Sequence, residues 1–235
     1  MIVTGMLFYT AVETKRMNMK KIFAGVALLT MGKLATAQNV SIGPVVGVSH
    51  AWITGINNTT FKPSVNIGGT IVYSFVPHWG IGGDIRASFF EGVRTKVESG
   101  NNKVVGNYNA TYLRVPLKVY HFFGQYGDRL RPKIYVGPEV GFFLGGKSKI
   151  ETTVGSNKNE TKTDSKDGFK SMDFGFVAGG GVNYRLQKNV WLNVDLVYNN
   201  GLIDISEGND YNANRNIGLS AGVTFPLGTV IPDKK

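Results

Sequence analysis

The sequence of 235 residues contains no cysteine, which excludes disulfide bridges, thiol catalysis and thiolate metal sites together. Proline is also sparse, at 8 residues, whereas the 31 glycines are roughly twice the usual share of about 7%. Hydrophobic residues make up 42% of the chain and aromatic residues 11%, so the chain can bury apolar surface and is not a disordered protein. The composition indicates a folded protein that uses glycine inside regular structure.

Residues 17–37 have the pattern of a secretory signal peptide. Lys20 and Lys21 precede an apolar stretch over 22–31, and the small residues Ala35-Thr36-Ala37 follow it. The apolar stretch is shorter than the 18 or so residues that a membrane-spanning helix needs, and Lys33 ends it, so a membrane anchor is disfavoured. We predict export, with cleavage after Ala37.

Residues 1–16 lie upstream of this signal, so we expect translation to start at Met17 or Met19. The chain is therefore predicted to comprise a signal segment at 1–37, one domain at 38–225 and a short tail at 226–235.

The remaining sequence alternates with a period of two, which is typical of β-strands rather than helices. From Ser41 to Trp52 the even positions carry mostly large apolar side chains, while the odd positions are mostly small. The same alternation recurs in eight segments near the 9 to 11 residues of a tilted membrane strand. These segments are 41–52, 65–75, 80–90, 110–122, 132–144, 171–184, 190–199 and 215–225.

The connections between these segments alternate in length. Short ones (76–79, 123–131 and 185–189) are expected on one side, and long polar ones (53–64, 91–109, 145–170 and 200–214) on the other. This alternation predicts an all-β, eight-stranded antiparallel up-and-down transmembrane β-barrel located in the outer membrane. A soluble barrel of lipocalin type is the alternative, and it would enclose its large apolar residues around a ligand.

Charged residues on the face opposite the apolar one favour the membrane barrel, because a soluble core does not tolerate seven charges. We expect a closed polar lumen in which these groups pair across the strands, while lipid solvates the outer face. The expected charge network comprises Asp84, Arg86, Arg114, Lys118, Glu139, Asp173 and Asp195. The Asp-Phe-Gly triplet at 173–175 is then one alternation of faces within a strand, and not part of a phosphate site.

Aromatic residues near the strand ends are predicted to form the girdles that flank the membrane core. The expected girdle residues are Trp52, Tyr73, Phe75, Trp79, Phe122, Tyr184, Trp191 and Phe225.

Nothing in the sequence indicates an enzyme. The chain has three histidines, His50, His78 and His121, and their positions do not assemble a Ser-His-Asp set or a metal site. We expect no catalytic residues, no metal and no cofactor. Lysines and acids alternate over 145–170 without stacked aromatic residues, which indicates a solvated loop and not a nucleic-acid-binding surface.

Four segments resemble the PorT-like family of small outer-membrane β-barrel proteins found in Bacteroidetes-type envelopes. They are "YLRVPLKVY" (112–120), "IYVGPEVGFFLGG" (134–146), "DFGFVAGGGVNY" (173–184) and "LVYNNGLIDI" (196–205). Barrels of this kind commonly end on an aromatic residue, whereas this chain continues over 226–235. We expect Phe225 to take the place of that terminal aromatic residue. The resemblance implies a role in envelope biogenesis or in the associated protein-secretion machinery, with other envelope proteins as partners.

Three functions remain open at this point. A structural or partner-binding barrel in outer-membrane lipid is favoured, because eight strands leave little room for a channel. The alternatives are a narrow pore and a surface adhesin that presents the long loops 91–109 and 145–170.

Overall fold

Eight long antiparallel strands close into a barrel in the computed structural model of the chain, which describes residues 40–125, 127–206 and 211–227. The strands are β1 (Val40–Ile53), β2 (Pro63–Val76), β3 (Trp79–Ser99), β4 (Asn102–Phe122), β5 (Leu130–Gly145), β6 (Met172–Gln187), β7 (Val190–Gly201) and β8 (Asn214–Pro226). Each strand pairs with its neighbour in sequence, and β8 pairs with β1 to close the ring. The predicted eight-stranded up-and-down barrel is confirmed. The predicted signal peptide at 1–37 and most of the tail lie outside the described residues.

The two faces of each strand differ as the period of two predicts. Val48, Leu196 and Leu219 are 59%, 54% and 58% exposed on the outer face, whereas the neighbouring Ser220 is 3% exposed inside. Large apolar side chains therefore cover the outside of the barrel, which is the arrangement that lipid requires.

Three short turns connect the strands at one end of the barrel, at 77–78, 123–129 and 188–189. We call this the turn end, and the opposite end the loop end. Among the residues that the structure describes, no helix is long and apolar enough to cross a membrane.

The segment 91–109, expected as a polar loop, is mostly strand. β3 and β4 continue as a paired hairpin up to Ser99 and Asn102, and the two-residue strand Thr59–Thr60 lies on the free edge of β3. In the β3 part of this extension, over 93–98, Val and Thr alternate with charged residues, which suits an exposed strand. The β4 part, over 102–109, is mostly polar and has no such alternation, so the period of two does not mark it as a strand.

The segment 145–170 also forms strands. Lys147–Val154 and Asn157–Asp164 form a hairpin, which we call the outer hairpin, and its first strand pairs with the extension of β4. Glu151 and Glu160 face each other directly, and Lys149 lies 2.5 Å and 2.7 Å from their carboxylates. Hydrogen bonds from Lys149 and Lys158 lower the pKa of Glu151 to about 2. The mixed charges thus pair across the two exposed strands.

Candidate functional site: the charged lumen

Arg114 on β4 forms ion pairs with three carboxylates inside the lumen. Its Nε donates to Glu91 Oε1 over 2.6 Å, and its Nη2 contacts Oε2 of the same carboxylate. Nη1 donates to Glu139 Oε1 over 2.9 Å, and Nη2 donates to Asp173 Oδ2 over 3.1 Å. We call these four residues the Arg114 cluster. All four are buried, with exposures of 7% or less.

Neutral side chains donate further hydrogen bonds to two of the three carboxylates, Glu139 and Asp173. Asn199 donates to the second oxygen of Glu139 over 2.7 Å, and Asn214 donates to Asp173 over 3.3 Å. The guanidinium carbon of Arg114 also lies 4.9 Å from the centre of the Tyr112 ring. These donors matter because one cation cannot satisfy three buried carboxylates alone.

A second group of charges lies nearer the turn end. Asp84 on β3 contacts both Arg86 and Lys118, and its side chain is fully buried. Lys118 Nζ also lies 4.9 Å from the centre of the Tyr135 ring. Asp84 therefore joins β3 to β4 inside the barrel.

Asp195 on β7 pairs with Lys133 on β5, with 3.1 Å between Nζ and Oδ2. Lys133 is 6% exposed and also approaches Asn193 at 3.5 Å. The structure thus brings the seven sequence-predicted lumen charges into three sets of contacts, which lie around Arg114, Asp84 and Asp195.

Sequence reasoning missed two members of these sets, Glu91 and Lys133. Lys133 shares the parity of Glu139 on β5, so the alternation of the sequence predicts that it faces the lumen. The alternation does not predict this for Glu91, because a β-bulge between Ser88 and Glu91 places both Phe89 and Phe90 on the outside. Phe90 takes a left-handed conformation there, with φ of 63°, and the residue after it returns to the lumen.

Apolar clusters lie on both sides of the Arg114 cluster. Towards the loop end, Tyr112, Phe169 and Ile205 belong to one buried cluster, and Phe143 stacks on Phe169 with ring centres 5.8 Å apart. Towards the turn end, a second cluster contains Tyr120, Phe122, Tyr135, Val177 and Val197. A cavity of about 20 Å³ beside Arg86 has room for about one water molecule.

The assignment of Phe122 to the aromatic girdle is wrong. Its side chain is 2% exposed and stacks on Tyr120 inside the barrel, with ring centres 5.7 Å apart. Phe122 has the inward parity of Arg114 and Lys118, and this parity outweighs its position near the strand end.

The other predicted girdle residues lie on the outer face or at its margins. Tyr73, Phe75, Trp79 and Phe225 are 44% to 45% exposed near the turn end. Trp52, Tyr184 and Trp191 are partly buried, and Trp52 lies beside Tyr198 with ring centres 6.4 Å apart.

The three histidines lie apart from the charged lumen. His50 stacks between Trp52 and Phe61 near the loop end. His78 and His121 stack on each other at the turn end, with ring centres 6.2 Å apart. No group of three His, Asp or Glu side chains within the described part of the chain has the arrangement of a metal site.

Comparison with known proteins agrees with this geometry. The family model described as "Outer membrane protein beta-barrel domain" matches residues 36–207. The chain belongs to this family. It is an outer-membrane β-barrel protein, and its outer face is in contact with outer-membrane lipid.

Several solved structures are similar in fold. Neisserial surface protein A (NspA) is 13% identical with a TM-score of 0.45, covering 80% of this chain and 96% of its own. OprG from Pseudomonas aeruginosa is 15% identical with a TM-score of 0.45, covering 82% of this chain and 97% of its own. The N-terminal β-barrel domain of Pseudomonas aeruginosa OprF is 15% identical with a TM-score of 0.39, covering 80% and 98%. No curated protein sequence matches the chain.

Proposed function

We propose that this protein is a non-conducting outer-membrane barrel that acts as a structural or partner-binding component of the cell envelope. The Arg114 cluster carries the proposal, because it joins β3, β4, β5 and β6 across the lumen through buried ion pairs. An ion that crossed the lumen would have to separate these pairs and pass the apolar clusters on both sides. An eight-stranded barrel is narrow enough for side chains to fill it in this way.

A more specific role is supported by the resemblance of four strand segments to PorT-like barrels. On this basis the partners are other proteins of envelope biogenesis or of the associated secretion machinery. The family match covers most of the barrel but is broader than the PorT-like group.

A surface adhesin is the second candidate, and the loop end favours it. The extensions of β3 and β4 and the outer hairpin form a sheet that continues beyond the barrel. The second strand of the outer hairpin, Asn157–Asp164, is exposed along its whole length. Such an edge is available to pair with an extended segment of another protein.

Conductance in planar lipid bilayers tests the closed lumen. The unmodified protein should conduct little, and Arg114→Gln or Glu139→Gln should conduct more, because each leaves the rest of the Arg114 cluster unbalanced. Lys96→Gln changes a charge on the exposed extension and serves as the matched control, with conductance equal to that of the parent. Steady, ion-selective conductance of the parent that these substitutions leave unchanged would contradict the proposal and favour a narrow pore.

A further inference from the structure

Lys62 is a buried amine on the outside of the barrel, at the loop end, immediately before β2. Its side chain reaches two amide oxygens on β4, donating to Asn107 Oδ1 over 2.6 Å and also to Asn109. The residue is 3% exposed. Burial, together with the nearby guanidinium of Arg94, lowers the pKa of Lys62 to about 8.

No carboxylate pairs with Lys62 or Arg94 among the residues that the structure describes. This distinguishes them from Lys96 and Lys103 on the same extension, both of which pair with Glu98. A buried cation without a counter-ion is costly, so an anion bound beside Lys62 would stabilise the site.

The cleft around Lys62 is amphipathic. It has a volume of about 330 Å³, and Pro63, Val65 and Phe90 line it together with the polar residues. Val65 is 41% exposed and Phe90 is 56% exposed on the lipid-facing surface. The bulge in β3 is responsible for this placement, because it leaves Phe90 on the outside where strict alternation would turn it inward.

A second cleft of about 650 Å³ adjoins the first and shares Phe90 and Asn109 with it. It adds the exposed apolar side chain of Leu144 and two further cations, Lys147 and Lys166. One carboxylate, Asp164, also lines it, and accepts a hydrogen bond from the backbone N–H of Lys166 over 2.9 Å. The two clefts therefore present four cations and one carboxylate beside apolar, lipid-facing residues.

We propose that this paired cleft binds the phosphate-bearing headgroup of an anionic membrane lipid. Lys62 and Arg94 contact the phosphate, and the acyl chains run along Phe90 and Val65 into the hydrocarbon region. Basic pockets at the membrane boundary bind lipid headgroups by this combination of charge and apolar contact. A free phosphate ion would satisfy the cations equally but would leave the apolar wall without a partner.

Lipid retention measures the site directly. The whole barrel is placed in nanodiscs of nine parts phosphatidylcholine to one part phosphatidic acid, and the lipids that stay bound are identified by native mass spectrometry. The parent should retain phosphatidic acid preferentially. Arg94→Gln and Lys62→Gln should each reduce this retention about tenfold, since a hydrogen bond to a charged group contributes on the order of that factor.

Asn107→Asp provides a variant that keeps the hydrogen bond of Lys62. The new carboxylate would neutralise the amine from within the protein, so retention of phosphatidic acid should fall in a folded barrel. Lys103→Gln, which removes an exposed lysine outside both clefts, is the matched control and should retain phosphatidic acid as the parent does.

Two results would overturn the proposal. One is equal retention of phosphatidic acid by the parent, Arg94→Gln and Asn107→Asp. The other is displacement of phosphatidic acid by inorganic phosphate at equal concentration, which would show an anion site without lipid selectivity. If Lys62→Gln fails to fold, the other two variants still decide between these outcomes.

Discussion

Arg114 can join three carboxylates because its guanidinium presents five N–H donors in one rigid plane. Glu91 accepts from Nε and Nη2 along one edge of that plane, Asp173 also accepts from Nη2, and Glu139 accepts from Nη1. A lysine at this position would offer a point charge without the fixed directions that separate three acceptors. Residue type therefore determines the connectivity of the lumen, while burial determines how much each contact contributes.

Replacing Arg114 with Met should strongly destabilise the barrel, because it leaves three buried carboxylates without their cation. We expect the free energy of unfolding in lipid vesicles to fall by about 3 to 5 kcal/mol. Urea unfolding followed by tryptophan fluorescence measures the change. Adding Glu91→Gln to Arg114→Met should recover part of the loss, since one uncompensated charge is removed.

The control for this prediction is Lys188→Met, which changes an exposed lysine in a short turn. It should alter the free energy of unfolding by no more than about 0.5 kcal/mol. Equal stability of Arg114→Met and Lys188→Met would mean that water fills the lumen and screens the charges.

The period of two in the strand sequences predicts the faces correctly as long as the ladder is regular. It predicts the inward positions of Arg114, Lys118 and Glu139, and Phe122 follows the same rule. The rule fails at the bulge in β3, where an extra residue changes the parity and brings Glu91 into the lumen. A bulge depends on the register between β3 and β4, and this register cannot be predicted from the sequence of either strand alone.

Inward glycines allow neighbouring strands to approach closely. A methyl group on Gly137 of β5 would overlap the backbone carbonyl of Leu117 on β4. On the outer face of β2, by contrast, a methyl group on Gly69 would come no closer than 3.8 Å to any other atom. Glycine is thus required at the first position and not at the second.

Gly137→Ala should therefore destabilise the barrel by about 1 to 3 kcal/mol through overpacking, while Gly69→Ala should be close to neutral. Both variants replace a strand glycine with the same side chain, so each is the control for the other. Heat-modified mobility on gels, which separates folded from unfolded barrels, gives the midpoint temperatures. A lower midpoint for Gly69→Ala than for Gly137→Ala would contradict the assignment of the two faces.

At the scale of the whole molecule, the charges inside the lumen balance. Arg86, Arg114, Lys118 and Lys133 face five carboxylates, and Arg131, which is 6% exposed at the turn end, adds a fifth cation. The parity of the strands predicts most of these residues, whereas their pairing depends on three-dimensional register. The outer hairpin was not predicted as strands because its stability comes from pairing with β4 and not from an apolar face.

Because the number of strands is even, the first and last strands of the barrel begin and end on the same side. Val40, at the start of β1, pairs with Tyr73, and Ile42 pairs with Phe225, so both ends of the barrel chain lie at the turn end. In barrels of this kind, the short turns face the periplasm and the long connections face the outside. We therefore predict that the outer hairpin lies on the cell surface.

Protease cleavage sites inserted after Gly155, at the tip of the outer hairpin, and after Gly124, in a short turn, test this orientation. Both glycines are exposed and have positive φ, so the two insertions are matched in local structure. Protease added to intact cells should cut the site after Gly155 and spare the site after Gly124, which should become sensitive only when the outer membrane is permeabilised. Cleavage after Gly124 in intact cells, with the outer hairpin spared, would invert the topology and place the Lys62 cleft in the inner leaflet.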